Sequence, residues 1–505
     1  MVLEGKKTTK PQARPSNISL EEWFKPFAEK IIGKDQLFHS PYGKKKIIYA
    51  DWTASGRLYK SIEDKMLHEI GPYVANTHTE TSITGACMTQ AYHEAREIIK
   101  QHVHAGGDDV LISVGSGMTG AVNKFQRILG FKVSESLKDF SDVPKIIKPI
   151  VFVSHMEHHS NQISWMETIA DVEVVPCNED GLICMDQFEK MIRKYADRKF
   201  KIASITAASN VTGIKTDYHA VAKLIHSYGG LCFVDFACSA PYVEINMHPE
   251  DPQAYLDAIF FSPHKFLGGP GSSGILVFNK KLYSNHIPDN PGGGTVTFTN
   301  PWGGRFYISD IEVREDGGTP AFLQTIRVAL AMKLKEQMGV ENIHAREAEI
   351  NALMFERLSN MKGVKIFGAR HRDRLSIFSI QISGIHYNLV AKLLNDRYGI
   401  QSRGGCSCAG TYGHYLFEID QENSQVIHQQ IEAGLYNKKP GWIRISLHPT
   451  ASNKEVEYIC SALEEIIQHH KEWARDYEYN LLSNDFDFKG EYESMEAVVS
   501  GWFAS

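Results

Sequence analysis

The chain has no apolar run of the roughly 20 residues needed to cross a bilayer, so a membrane-spanning protein is not expected. It has no basic excess either. Its 54 lysines and arginines stand against 60 aspartates and glutamates, a net charge of -6. Nothing is in surplus to neutralise phosphates, which argues against a nucleic-acid or anionic-membrane partner. Cysteine is scarce, with 8 in 505 residues, too few and too scattered for a disulfide framework. Cys177, Cys184, Cys232 and Cys460 sit in apolar or mixed stretches that read as reduced, mostly buried thiols. Internal repeats are absent. The first fifteen residues carry Lys6, Lys7, Lys10 and Arg14 but lack the apolar centre of a secretory signal. Glu4, Pro11 and Pro15 spoil an amphipathic presequence, so a cytoplasmic location is expected ahead of a mitochondrial one.

What is present is an ordinary globular composition, 43% hydrophobic and 23% charged, in a chain too long for one simple core. Residues 1–18 are polar and rich in Lys and Pro, which predicts a disordered tail. A helical pattern follows (Leu20, Trp23, Phe24, Phe27, Ile31), and residues 47–51, IIYAD, read as the first strand. Seven apolar runs then alternate with helical stretches: residues 109–114, 149–154, 172–177, 202–206, 231–236, 258–263 and 274–278. Near-continuous apolar strands between helices predict an α/β fold with a mostly parallel seven-stranded sheet covered on both faces. Beyond the Gly/Pro-rich stretch 288–304, a long helix (about 320–338) leads into strands at 375–382 and 442–447. The expected division is a large domain over 49–318 and a smaller α+β domain over 319–479. Residues 19–48 add to the smaller domain, and 480–505 form an extended tail.

Four segments carry chemistry, each at the end of a predicted strand, where parallel α/β sheets bind ligands. In FFSPHKFLGGPGSSG (260–274), Lys265 lies between Ser262, His264 and a run of glycines. A surface lysine in a turn would look similar, but a desolvated lysine at a strand end can form a Schiff base. In LCFVDFACSAP (231–241), the strand delivers Asp235, a buried carboxylate in need of a cation: a pyridinium nitrogen, a metal or an arginine. In VFVSHMEHHSNQISW (151–165), His155, His158 and His159 suit a ring stacked on a ligand, ordinary satisfied polar groups, or zinc. AASNVTG (207–213) adds Asn210 as a donor. In VGSGMTG (114–120), Gly115, Gly117 and Gly120 match the dinucleotide fingerprint by letter. The acidic residue expected after the next strand is missing. What remains is a phosphate cradle at a helix start, with Ser116, Met118 and Thr119. A fifth stretch, RGGCSCAG (403–410), holds Cys406 and Cys408 behind Arg403. A metal there would lack the second cysteine pair of common zinc sites.

An amine-capturing lysine, a carboxylate for a ring nitrogen, a stacking imidazole and a phosphate cradle are together what pyridoxal 5'-phosphate demands. In order and wording these segments resemble the class V aminotransferase family, fold type I of the pyridoxal phosphate enzymes, and within it the cysteine desulfurase and selenocysteine lyase branch. The likeness runs from YADWTASGR (49–57) to GWIRISLHPTAS (441–452). The resemblance implies Lys265 as the Schiff-base lysine, Asp235 on the ring nitrogen, His158 stacked on the ring and Asn210 near its phenolic oxygen. It implies Met118, Thr119, Ser262 and His264 around the phosphate. Thr319 would reach the phosphate of the other subunit in a homodimer with shared active sites. Arg444, with Arg403 and Asn210, would hold the substrate's α-carboxylate, and Cys408 would take the substrate's sulfur, with Arg403 favouring its thiolate.

The implied reaction is conversion of L-cysteine to L-alanine with a persulfide on Cys408, passed on to a sulfur-acceptor protein. Transamination, epimerisation or β-elimination of another amino acid is the alternative, and a non-catalytic sulfur carrier a further one. The chain departs from the family pattern at Cys238, which the resemblance places at the cofactor's ring oxygen as a poorer hydrogen-bond donor than the usual glutamine. It departs also at Trp52, expected to reshape the substrate entrance, and in the long 411–441 connection, expected to form a lid or helix.

Overall fold

The computed structural model describes residues 14–77, 79–140, 143–492 and 495–504; most of the segment expected to be disordered, 1–18, lies outside them. All seven apolar runs are strands of one sheet: β1 (Asp109–Val114), β2 (Ile150–Ser154), β3 (Asp171–Val175), β4 (Lys201–Thr206), β5 (Leu231–Asp235), β6 (Ala258–Phe261) and β7 (Gly274–Asn279). Their order is β1-β7-β6-β5-β4-β2-β3. Every pairing in this sheet is parallel except that β7 runs antiparallel to both neighbours. The pleat sorts successive side chains into two cores, one per face. Val151, Val153, Ile202 and Phe233 join one cluster. Ile150, Phe152, Ala203 and Val234 join the other. Because both faces are sealed, only the strand ends are open for chemistry.

The second sheet is antiparallel, β8 (Val364–Ile366), β9 (Ile377–Ile382), β10 (Arg403–Gly405) and β11 (Trp442–Ser446), in the order β8-β9-β11-β10. It packs with helices α1 (Val340–Ser359) and α2 (Asn453–Trp473) around its own core. The N-terminal chain crosses to it: Ile48–Tyr49 pairs in parallel with Ile400–Gln401, and Asp51 bridges Ser446.

Several expectations are corrected in detail. The stretch 47–51 holds a strand, Ile48–Tyr49, but it is not the first; a hairpin of Leu37–Ser40 and Gly43–Lys46 precedes it, its lysines masking any apolar alternation. Trp52 does not shape an entrance. It is 4% exposed, stacked on His448 with ring centroids 4.4 Å apart, and donates its indole N–H to Tyr49 O. The connection 411–441, by contrast, takes the helical form that was one of the two expected of it, over Gly410–Phe417 and Gln421–Glu432. Residues past 480 are not simply extended. Tyr477–Asn480 and Asp485–Phe488 form a hairpin whose Phe486 and Phe488 pack on the second core, and a short helix, Glu496–Gly501, follows.

No helix among the described residues is long and apolar enough to cross a membrane. Phe233, fully buried in β5 and in edge contact with Phe125 (5.0 Å between centroids), anchors one face of the sheet. Phe233→Ala is expected to cost about 3–5 kcal/mol, read as a lower urea midpoint at unchanged slope; a loss under about 1 kcal/mol would contradict this packing.

Candidate active site

The carboxyl ends of the parallel strands converge on one cleft of about 210 Å³. That is below the roughly 300–1,000 Å³ of pockets for drug-sized ligands, so it suits a small ligand. Thr119, His158, Asn210, Asp235, Ser262, His264, Lys265, Arg403, Cys408 and Arg444 all line it. Ten residues from seven places in the sequence therefore meet in one cleft. Thr319 does not. It is exposed, on the loop ahead of helix α3 (Phe322–Met338).

Lys265 closes a single 3-10 turn after β6. The turn is tight because Gly269 has no room for a side chain, its Cβ position lying 1.9 Å from Pro263 O. Burial holds the Lys265 amine below the ordinary lysine range, against the opposing pull of Cys238 and Asp235, and the positive charges of Arg444 and Arg403 push the same way as burial. Asp235 ends β5 and is 2% exposed. Burial pushes it up to about 6 although Ala237 N–H donates to it at 2.7 Å and the Lys265 charge opposes the rise. A carboxylate so placed, without an ion pair among the described residues, fits a cationic ring nitrogen.

His158 caps helix α4 (His159–Met166), accepting Ser160 N–H on Nδ1 at 3.0 Å. That bond leaves the ring proton on Nε2. Burial, then the charges of Lys265, His159 and Arg444, lower it to about 4, so the ring is neutral. His264 is likewise lowered to about 4, by burial and Lys265, and its Nδ1 lies 3.2 Å from Ser55 Oγ. The anion cradle lies where β1 turns into helix α5 (Met118–Ile128). Gly115 takes φ +58°, and a Cβ on Gly117 would sit 3.0 Å from Ser262 Oγ. Met118 N–H donates to that same Ser262 Oγ at 2.8 Å, and Thr119 Oγ1 is 2.7 Å from Ser160 Oγ.

The two thiols of the 403–410 loop part company. Cys408 is exposed and lines the cleft, whereas Cys406 is half-buried against the apolar cluster that includes Ala409, Tyr412 and Trp442. Ser407 and Cys408 take left-handed φ values of 51° and 56°, a conformation that costs non-glycine residues of order 1–2 kcal/mol each. Three hydrogen bonds hold them there. Asn210 Nδ2 donates to Ser407 O (2.7 Å), Trp442 Nε1 to Ser407 Oγ (3.1 Å) and His159 N–H to Cys408 O (2.8 Å). Asn210 thus serves the thiol loop with its amide nitrogen, while its buried Oδ1 has no partner among the described residues. Cys238 lines the cleft but donates its S–H to Ala208 O at 2.9 Å, and burial lifts it to about 12; it is not placed as a thiolate.

Sequence reasoning missed Asp51. Its carboxylate accepts Arg444 NH2 on Oδ1 (2.7 Å) and Arg403 Nε on Oδ2 (3.1 Å), while Arg444 NH1 donates to Asn210 O (3.1 Å). It also missed Glu157. That buried residue receives Thr206 N–H and Asn161 Nδ2, each at 2.8 Å, and burial raises it to about 7, aided by the charge of Asp235. Both stand inside the quoted motifs, one letter from residues that drew attention. No group of three or more His, Cys, Asp or Glu among the described residues is placed to hold a metal.

The family model for class V aminotransferases matches residues 48–459. A probable cysteine desulfurase of Staphylococcus epidermidis is 27% identical over 388 residues, 76% of this chain and 88% of that one. Another, from Halalkalibacterium halodurans, is 28% identical over 367 residues, 72% of this chain and 84% of that one. Among solved structures, the apo cysteine desulfurase of Thermococcus onnurineus NA1 superposes with a TM-score of 0.68 at 22% identity, covering 84% of this chain and 95% of that one. The cysteine desulfurase CsdA of Escherichia coli gives 0.64 at 21% identity, covering 83% and 94%.

The partition of the thiols is directly measurable. Iodoacetamide is expected to alkylate Cys408 at least tenfold faster than the buried Cys232, Cys238 and Cys460, followed by peptide mass spectrometry. Equal labelling of Cys408 and Cys238 would contradict the cleft geometry.

Proposed function

The chain belongs to the class V aminotransferase family, and from that premise we propose that it is a pyridoxal 5'-phosphate enzyme that converts L-cysteine to L-alanine and leaves the sulfur as a persulfide on Cys408. The observation that carries this reading is that the exposed Cys408 shares one small cleft with the desolvated Lys265 and with Arg444. The residues fit the cofactor. Asp235 is a buried carboxylate awaiting a cation, Asn210 Oδ1 is an orphaned acceptor, and Gly117 lets the backbone lie close to Ser262 and His264, where a Cβ would sit 3.0 Å from Ser262 Oγ.

In this reading Lys265 would hold the cofactor's carbonyl carbon until the substrate's amine displaced it, Asp235 would face its ring nitrogen, and neutral His158 would cover the ring. Met118, Thr119, Ser262 and His264 hold the phosphate. When bound, the group supplies an aldehyde that captures amines and a cationic ring that accepts the electron pair released at the substrate's α-carbon. Arg444 and Arg403 orient the substrate by its α-carboxylate. The Lys265 amine, kept easy to deprotonate by desolvation, takes the α-proton on Nζ. The Cys408 thiolate attacks the substrate's Sγ; the S–S bond forms as the C–S bond breaks, and the carbon skeleton, reprotonated, leaves as alanine. Left-handed backbone at Ser407 and Cys408, pinned by Asn210, Trp442 and His159, aims the thiol at one spot. Cys238 contributes cleft wall rather than a hydrogen bond to the cofactor.

The probable cysteine desulfurases from Staphylococcus epidermidis and Halalkalibacterium halodurans support the assignment of substrate. The large domain is taken as 49–318 and the small one as 319–479, with 19–48 joined to the latter. The exposed Thr319 suits a homodimer in which it completes the partner's phosphate site. An exposed persulfide on Cys408 would hand its sulfur to an acceptor protein, in the cytoplasm.

Incubated with L-cysteine, the holoenzyme is expected to form alanine and a persulfide on Cys408 in equal amounts. Cys408→Ser is expected to keep the cofactor's visible absorbance and to lose at least 100-fold in alanine formation. Undiminished activity in that variant would sink the sulfur assignment and favour other chemistry on the same lysine.

A pH test isolates Asp235. Its folded pKa of about 6 and that of Glu157, about 7, lie above the roughly 3.9–4.3 of unfolded carboxylates. The unfolded chain therefore ionises first, and the stability these groups contribute is full below about pH 4 and lost as pH rises through 6 to 7. A cation against Asp235 removes that loss. Pyridoxal phosphate is expected to raise the Tm of the apoprotein more at pH 7.5 than at pH 5, and the difference should vanish in Asp235→Asn.

A further inference from the structure

Arg403 and Arg444 are directly opposite each other across the antiparallel pair β10–β11. Paired residues on neighbouring strands project from the same face, and like charges so placed repel. Asp51 lies between them. It takes Arg444 NH2 on one oxygen at 2.7 Å and Arg403 on the other, through Nε and NH2, at 3.1 Å each. Its backbone is fixed on both sides: Ala50 N–H donates to Gln401 O (2.9 Å), Ser446 N–H to Ala50 O (2.8 Å) and Thr53 N–H to Ser446 Oγ (3.0 Å). Asp51 is 8% exposed and does not line the cleft, whereas both arginines do. It acts on a ligand only through them.

The charge count at this end of the cleft is simple. Two guanidinium groups face one internal carboxylate, which leaves a single unmatched positive charge. Arg444 also keeps a buried Nε without a partner among the described residues. One α-carboxylate satisfies that surplus. A second carboxylate, on a substrate side chain, would find no further free cation, because the remaining charged groups lining the cleft are Lys265 and Asp235. We propose that Asp51 is a positioning and selectivity residue, which neutralises one of the two arginines and so tunes the cleft to amino acids with an uncharged side chain over dicarboxylic ones. The inference rests on the reading of the ligand as an amino acid and narrows its class.

The test titrates purified holoenzymes with L-alanine and with L-aspartate, following the cofactor's visible spectrum. The wild type is expected to bind alanine at least tenfold more tightly than aspartate. Asp51→Asn frees the second guanidinium and is expected to shift that ratio at least tenfold toward aspartate, while Asp51→Glu stays near the wild-type ratio. Because Asp51→Asn leaves two adjacent arginines uncompensated and could destabilise the fold, Arg403→Gln and the double variant D51N/R403Q form the second arm. Arg403→Gln should weaken alanine binding at least tenfold, and the double variant, with the single positive charge restored, should recover most of it. An unchanged alanine-to-aspartate ratio in Asp51→Asn, or no recovery in the double variant, overturns the proposal. A wild-type spectrum that no amino acid alters overturns the underlying function, and this inference with it.

Discussion

A parallel sheet buried on both faces has nowhere to do chemistry except at its ends, and that constraint governs this molecule. Strands β2, β4 and β6 show no exposed residue along their length, so helices must cover them and polar groups must wait for the turns. Those turns deliver His158, Asn210, Lys265 and Asp235 to one rim. The same sealing supplies the electrostatics. Desolvation lowers the Lys265 amine, raises Asp235 to about 6 and keeps His158 neutral. The reactive state of each group follows from where the sheet puts it.

The second sheet finishes what the first begins. Its β10 and β11 carry the two arginines, and the loop after β10 carries Cys408. This loop is held from the large sheet's side by Asn210 and His159 and from its own side by Trp442. The cleft is therefore a seam, lined by Asp235 and Lys265 from the ends of the large sheet and by Arg403, Cys408 and Arg444 from the second. Asp51, on the N-terminal crossing, ties the two arginines into it.

How much of this was legible depended on the range of the forces involved. The seven strands were readable because burial on both faces writes an almost unbroken apolar run. Lys265, Asp235 and His158 were readable because each sits at or within a few residues of the end of such a run. The hairpin at 37–46 was not, since its lysines face solvent and leave no apolar alternation. Trp52 looked like an entrance residue because letters do not say which way a ring points; the structure turns it into the core against His448. Cys238 stood in the right place, but its S–H goes to Ala208 O. Asp51 was invisible because its meaning lies in partners 352 and 393 residues away, a pairing no local pattern records.

That last separation has a consequence for how the chain comes together. Asp51 is made early in synthesis, and its two arginines are among the later residues to appear. The neighbouring Gly56 threads against the turn of Lys265, where a Cβ would lie 2.0 Å from Phe266 O. The N-terminal crossing can seat only after that turn exists, and its charge is answered only as β10 and β11 are added. Contacts of such long range form slowly, because a large loop must close before any of them stabilises the chain. The large sheet, whose pairings join residues 109–279, is free to fold first. The lysine turn thus precedes both arginines in the growing chain, and the tie through Asp51 closes only after both of their strands have been made.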